Sequence, residues 1–266
     1  MNGKKTLINI SLLVLFLSAI LAKETNTEHA SMNSSMNVRH RGINCFSASP
    51  LYKVNVKEKL IAFTFDDGPH PVYTRNVLKV LNKYQGKGTF FVTGQRAQSF
   101  SSVIKELDGQ GHEIGNHTFS HPSMRKITSL QLQKEIQKAD DTIYSLTGKY
   151  PVFFRPPAGI QNSAVISAAK KKNHIIVIWS KNQDPKDWAN PGIETIVRRV
   201  TQHAEPGQIV LMHDSGVNRT QTVKALEKIL SILSKQGYKF VTISDLVRQS
   251  TKEKTGDECV DLVIKP

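Results

Sequence analysis

The chain has 266 residues, long enough for one sizeable domain and short for two large ones. With 39% hydrophobic and 22% charged residues it has the composition of a globular protein, which excludes disorder throughout. Thirty-six basic against 22 acidic residues give +14, a balance that suits an anionic surface such as an acidic cell wall; no basic run is interleaved with aromatics, as nucleic-acid binding would ask.

In chain order, Lys4 and Lys5 precede an apolar stretch from Leu7 to Ala22, and a polar segment begins at Lys23. This is the layout of a secretory signal, and the stretch is short for a spanning helix. Ala22 fits the last position before cleavage, whereas Ile20 is bulkier than the small residue preferred two positions before it, so residues 1–22 are expected either to be removed or to stay as an N-terminal membrane anchor. The protein is therefore expected to be exported. Residues 23–56 are rich in Asn, Ser and Met without periodicity and read as a linker or loosely docked arm. Residues 251–266 read as a tail. Cys45 and Cys259 flank the central region; a bridge between them and two unpaired thiols both fit an exported chain.

Between arm and tail, short β-rich runs alternate with helical patterns. The runs are Leu60–Phe65, Thr89–Val92, Glu113–Asn116, Val152–Arg155, His174–Trp179, Gln208–Met212 and Tyr238–Val241. Helical spacing is carried by Val77, Leu78 and Leu81, by Leu130, Ile136 and Ile143, and by Val223, Leu226, Ile229 and Leu233. Such alternation predicts a parallel α/β architecture over residues 57–250, either a barrel of fewer than eight units or a doubly wound sheet.

Five polar clusters fall where these strands end, and that is where parallel α/β folds gather their chemistry. Asp66-Asp67 follow the first strand. Adjacent carboxylates repel unless positive charge lies near, and Gly68-Pro69 turns the chain just beyond. Asn116-His117-Thr118-Phe119-Ser120-His121 follows the third strand; histidines four apart share a face over one helical turn, a spacing that suits a metal. Thr118 stands where a zinc protease needs Glu, so that chemistry is not supported. A nearby aspartate would complete a two-histidine, one-carboxylate site with open positions. Arg155-Pro156-Pro157-Ala158-Gly159 reads as a rigid loop able to aim a backbone N–H. Asp184 to Trp188 combines an aspartate suited to orienting a histidine with a Trp suited to stacking on a sugar. His213-Asp214 ends the sixth strand, where a histidine suits a general acid. Taken one at a time, each cluster also fits a bland turn, a surface pair or a core residue.

Together and in this order, TFDDGP, HTFSHP, RPPAG, DPKDW and LMHD resemble the polysaccharide deacetylases of the NodB-homology type, carbohydrate esterase family 4, over about residues 57–248. The resemblance implies a distorted (β/α) barrel of about seven β/α units. It implies one divalent metal ion, Zn or else Co or another divalent ion, held by Asp67, His117 and His121. It makes Asp66 the general base and His213 the general acid, with Asp187 orienting His213 and Arg155 tuning Asp66. The backbone N–H of Ala158 would stabilise an oxyanion, and Trp188 and Leu211 would line the acetyl pocket. Many members carry Tyr where Ala158 stands, which puts the holding of substrate in doubt but not the N–H.

The implied activity is removal of N-acetyl groups from N-acetylglucosamine-type residues of peptidoglycan or chitin-like glycans. O-acetyl ester cleavage on xylan is the alternative within the family, and a non-catalytic cell-wall glycan-binding protein the alternative outside it. A phosphoesterase would ask for more carboxylates or a second metal. The expected partner is the acetylated glycan, with an anionic cell wall fitting the charge and no nucleic acid, and a monomer is assumed.

Overall fold

The structure, a computed structural model, describes residues 49–252. The apolar segment 1–22, the arm up to residue 48, Cys45, Cys259 and the tail beyond residue 252 lie outside the described residues.

The fold is an α/β half-barrel, a curled parallel sheet with helices packed outside it. Its centre is β1 (Leu60–Asp66), buried at every position, as a parallel strand covered on both faces must be. On either side of it, β2 (Thr89–Val92) and β6 (Ile209–His213) are in parallel register with Thr64, Phe65 and Asp66. Beyond β2 follow β3 (Glu113–Asn116), β4 (Phe153–Phe154) and β5 (Ile175–Ile176), while β7 (Lys239–Phe240) pairs with Leu60 and Ile61. The connections are α1 (Tyr73–Lys83), α2 (Gly94–Ser99), α3 (Ser101–Gly109), α4 (Ser129–Thr147), α5 (Ser163–Lys171), α6 (Ile193–Thr201) and α7 (Thr220–Lys235); α8 (Ile243–Lys252) follows β7.

Strand alternation sorts side chains between two cores. Ile61, Phe63 and Phe65 of β1, with Phe90 and Val92 of β2 and Val210 and Met212 of β6, pack outward against Val77 and Leu81 of α1 and Leu226, Ile229 and Leu233 of α7. Leu60, Ala62, Phe91, Phe153 and Ile209 face the other way, into the barrel. The same two-residue period carries Thr64 and Asp66 onto the interior side of β1, and Leu211 and His213 onto that of β6. The pattern that builds the core thus also aims the chemistry.

Several expectations need correcting. Leu51, Val54 and Val56, assigned to the arm, are buried with the interior core, so the packed chain begins upstream of residue 57. Leu51 bridges Val177 and Lys53 bridges Gln208, filling the gap between β5 and β6. The fifth strand is regular only at Ile175–Ile176, not from His174 to Trp179. Beyond it the chain pairs irregularly with β6: Ser180 N–H donates to Ile209 O (2.9 Å) and Leu211 N–H to Gln183 O (2.9 Å), with left-handed residues at Asn182, between these two contacts, and at Lys186, after them. Leu130 does not belong to the apolar stripe of α4; it is 63% exposed in the first turn, and Leu132 takes the buried place beside Ile136 and Ile143. Residues 117–128 form no helix, so His117 and His121 do not share a helical face.

Candidate active site and metal centre

Asp66 ends β1 facing inward, 4% exposed. Arg155, fully buried at the end of β4, reaches across the interior and donates from Nη1 to Asp66 Oδ1 (2.7 Å) and to Thr64 Oγ1 (2.8 Å). Its Nε donates to Val177 O (3.2 Å), and its guanidinium lies over the Phe91 ring, 4.1 Å from the centroid. Burial lowers the pKa of Arg155 despite the opposing pull of Asp66. A buried cation with one carboxylate partner pins that carboxylate in turn. With Oδ1 so occupied, Asp66 Oδ2 is the oxygen nearer the histidines, 3.9 Å from His117 Nε2.

Asp67 has left-handed backbone (φ 72), which an aspartate tolerates better than most residues and which sends its carboxylate away from Asp66. Its Oδ1 lies 3.5 Å from His117 Nε2 and 3.3 Å from His121 Nε2. Burial alone would raise the Asp67 carboxyl; the hydrogen bond and charge of His117, with His213 and His121 behind it, hold it well below the usual carboxylate range. The histidines reach Asp67 from a turn in which Thr118 (φ 69) and His121 (φ 56) are both left-handed, and their rings sit 5.0 Å apart.

These three residues fit a metal. Their ligand atoms all lie within 4.8 Å of one another. Ligands about 2.0–2.1 Å from a tetrahedral zinc stand roughly 3.3–3.4 Å apart, close to the two separations at Asp67. His117 Nδ1 is 2.7 Å from Arg155 O. A carbonyl only accepts, so a proton resides on Nδ1 and Nε2, turned toward Asp67, is the atom that would bind a metal once its own proton is lost; burial would lower this ring's pKa, but Asp66 and Asp67 hold it above the ordinary value while no cation replaces that proton. Burial and the charge of His117 lower the pKa of His121, which favours the neutral ring a metal needs.

On the other side of β1, His213 Nδ1 is 2.8 Å from Asp187 Oδ1, while His213 N–H and Thr222 Oγ1 donate to Asp187 Oδ2 (2.9 and 2.8 Å). Asp187 is fully buried. Burial would raise its pKa, but the His213 and Thr222 hydrogen bonds outweigh it and the net shift is downward. Burial would likewise lower the His213 ring; its bond and ion pair with Asp187, and the charges of Asp66 and Asp67, hold it above the ordinary imidazole value. With Nδ1 bonded to the carboxylate, the exchangeable proton is on Nε2.

Asp66, Asp67, His117, His121 and Arg155 thus form one chain of contacts, with the His213–Asp187 pair beside it. Ala158, Trp188 and Leu211 share no hydrogen bond or ion pair with that cluster. Ala158 is exposed at left-handed φ 56, and Trp188 is 52% exposed beside Asp187. Leu211 is buried one interior position before His213. Two contributors were not singled out from sequence, Thr64 under Asp66 and Thr222 on Asp187. Thr64 sits two residues before Asp66 on the same strand face, which was a usable signal; Thr222 comes from a helix distant in sequence and left none.

Residues 53–177 match the polysaccharide deacetylase family. A peptidoglycan-N-acetylglucosamine deacetylase of Bacillus cereus is 47% identical over 197 residues, covering 74% of this chain and 92% of that protein. Among solved structures, a family 4 acetyl xylan esterase from Clostridium thermocellum in complex with a cobalt ion superposes with a TM-score of 0.67 at 34% identity, covering 73% of this chain and 92% of the other. A carbohydrate esterase 4 pseudoenzyme from Bacillus anthracis superposes with a TM-score of 0.70 at 28% identity, covering 77% and 70%. With the half-barrel and the site at its strand ends, these likenesses show that the chain belongs to the polysaccharide deacetylase family, carbohydrate esterase family 4.

Proposed function

We propose that the protein is a metal-dependent N-deacetylase acting on N-acetylglucosamine-type residues of peptidoglycan or a chitin-like glycan. The observation that carries this reading is the presence of an Arg155-held Asp66 and an Asp187-held His213, register partners on β1 and β6, together with the Asp67–His117–His121 trio. A family that includes a pseudoenzyme makes the full set meaningful. Similarity to the Bacillus cereus relative over most of its length supports the amino-sugar substrate, and the +14 charge with the basic, apolar N-terminus supports export to an anionic wall.

A divalent cation held by Asp67, His117 and His121 would polarise a water and the acetyl carbonyl, and zinc suits this donor set. Asp66 Oδ2 takes the proton of the attacking water, since Arg155 engages the other oxygen. Negative charge then develops on the carbonyl oxygen, where the Ala158 N–H is the proposed donor. An amine leaves poorly unless protonated, and His213 Nε2 supplies that proton while Asp187 stabilises the imidazolium. Trp188 offers an exposed ring face to the sugar, and Leu211 is assigned to the acetyl methyl.

The test is acetate release from N-acetylglucosamine oligomers, peptidoglycan and acetylated xylan, compared at equal acetyl concentration. Faster release from the two amide substrates is expected. Release from xylan alone would reassign the protein as an O-acetyl esterase, and release from none would leave a glycan-binding role.

A further inference from the structure

The backbone N–H groups of the turn between the two histidines are all held by side chains. Four consecutive amides, Thr118 to His121, each donate to a side-chain oxygen: Thr118 to Asn116 Oδ1 (2.7 Å), Phe119 and Ser120 to Glu135 Oε2 (3.0 and 2.8 Å), and His121 to Thr118 Oγ1 (3.1 Å). Glu135 Oε1 also accepts from Ser120 Oγ (3.0 Å). The Glu135 carboxylate, on α4, is thus the one group from outside the segment 116–121 to bind these amides, and it grips the two that lie between the left-handed residues Thr118 and His121.

The same helix secures the start of the turn. Asn116 Nδ2 donates to Ile136 O (2.9 Å) and to Asp140 Oδ1 (2.7 Å), and Asp140 Oδ2 pairs with His174 Nε2 (2.9 Å). Lys138 Nζ, also on α4, covers the Phe119 ring at 3.7 Å from its centroid. On the opposite side, Gly94 and Gln95 N–H donate to Thr118 O and Phe119 O (both 3.0 Å).

A backbone with two left-handed non-glycine residues persists only when its surroundings over-determine it. His117 is buried and fixed through its own ring, whereas His121 is about half exposed and ends the turn. Its approach to Asp67 therefore depends on the amides before it. We propose that Glu135 is a positioning residue for the metal centre: it touches neither substrate nor cation, and its double acceptance from Phe119 and Ser120 sets the His121 imidazole at its distance from Asp67. The inference rests on the metal reading of the site given above.

The experiment is competition for Zn²⁺ against a chromophoric chelator, using the full chain, with thermal melting of each metal-free protein alongside. Glu135→Ala is expected to weaken Zn²⁺ binding by about ten- to a hundredfold, the range that groups supporting metal ligands command, while the metal-free protein still melts cooperatively. Glu135→Gln, whose amide oxygen can accept the same two N–H groups, is expected to recover most of the affinity. Glu135→Asp, which draws the carboxylate back by one methylene, should weaken binding several-fold. Wild-type affinity in the Asp variant overturns the proposal whether or not the Ala variant folds, and so does a Gln variant as weak as the Ala variant. His121→Ala separates the two levels. If it loses Zn²⁺ while Glu135→Ala binds as wild type, Glu135 alone is wrongly assigned; if wild type itself shows no saturable binding, the metal centre falls as well.

Discussion

Asp66 and Asp67 are bonded neighbours, yet one carboxylate meets a guanidinium and the other two imidazoles. Strand geometry turns the first into the barrel and a left-handed backbone turns the second toward the histidines, so mutual repulsion is relieved by separate partners. His213 shows the same logic on the acid side. In the proposed role it works protonated; Asp187 raises its pKa against the lowering effect of burial, so activity is expected to be high below that pKa and to fall as pH rises through it. Asp187→Asn removes the supporting charge. The expected outcome is a loss of about 10²–10⁴-fold in kcat, with the alkaline fall displaced to lower pH and KM little changed; pH profiles of both proteins check it. Asp214, next in sequence, is buried with Thr74 Oγ1 donating to its Oδ2 (2.5 Å), and burial pushes its pKa up to about 7. The native state keeps a proton that the unfolded chain releases near the ordinary 3.8, so the contribution of this group to stability declines as pH rises between about 4 and 7. Measured against Asp214→Asn, the melting temperature of the metal-free wild type should lose ground across that window.

At the scale of elements, the segment carrying Leu51 and Val54 works as a surrogate strand. It bridges β5's continuation and β6, and Ser180 Oγ donates to Tyr52 O (2.6 Å) to tie it in. Leu51 is 1% exposed, so Leu51→Ala should destabilise the protein by about 2–5 kcal/mol in urea denaturation, where a mere tether would lose almost nothing. This segment was illegible in the sequence because its pairing is two isolated bridges, and its three apolar residues alternate with polar ones without a continuous run. The central strands were legible because buried parallel strands are continuous apolar runs. Their outer neighbours β4 and β5 were over-extended because the apolar runs Val152–Phe154 and Ile175–Trp179 exceed the pairing the strands make; regular pairing covers only Phe153–Phe154 and Ile175–Ile176 before loops shaped by Pro156 and by the contacts of Ser180. The histidine spacing pointed to the right partners through the wrong geometry. Four residues fit one helical turn, whereas side-chain bonds from Glu135 and Asn116 build the actual turn. Gly68 was legible as a turn residue, but its tightest constraint is tertiary, since a Cβ there would stand 2.5 Å from Asp214 Oδ1.

At the scale of the molecule, all the chemical groups come from the carboxyl ends of β1, β3, β4 and β6 and the loop after β5, and the sheet's curl brings those ends together. Parallel strands in register make Asp66 and His213 partners across β1 and β6, so the proposed base and acid stand on one scaffold. The cation ligands come from β1 and the turn after β3, which makes metal binding a property of the folded state. Zn²⁺ at about a hundred times its dissociation constant should stabilise the protein by about 2.7 kcal/mol, read as a rise in melting temperature that chelator reverses and that His121→Ala abolishes.

In the proposed mechanism Asp66 abstracts the proton while Asp67, not Asp66, holds the cation. Zinc content and acetate release from peptidoglycan, measured on the same preparation of Asp66→Ala, separate the two roles. Zinc bound as in the wild type with no acetate released is the predicted result. Acetate release at the wild-type rate, or loss of zinc together with activity, would contradict it.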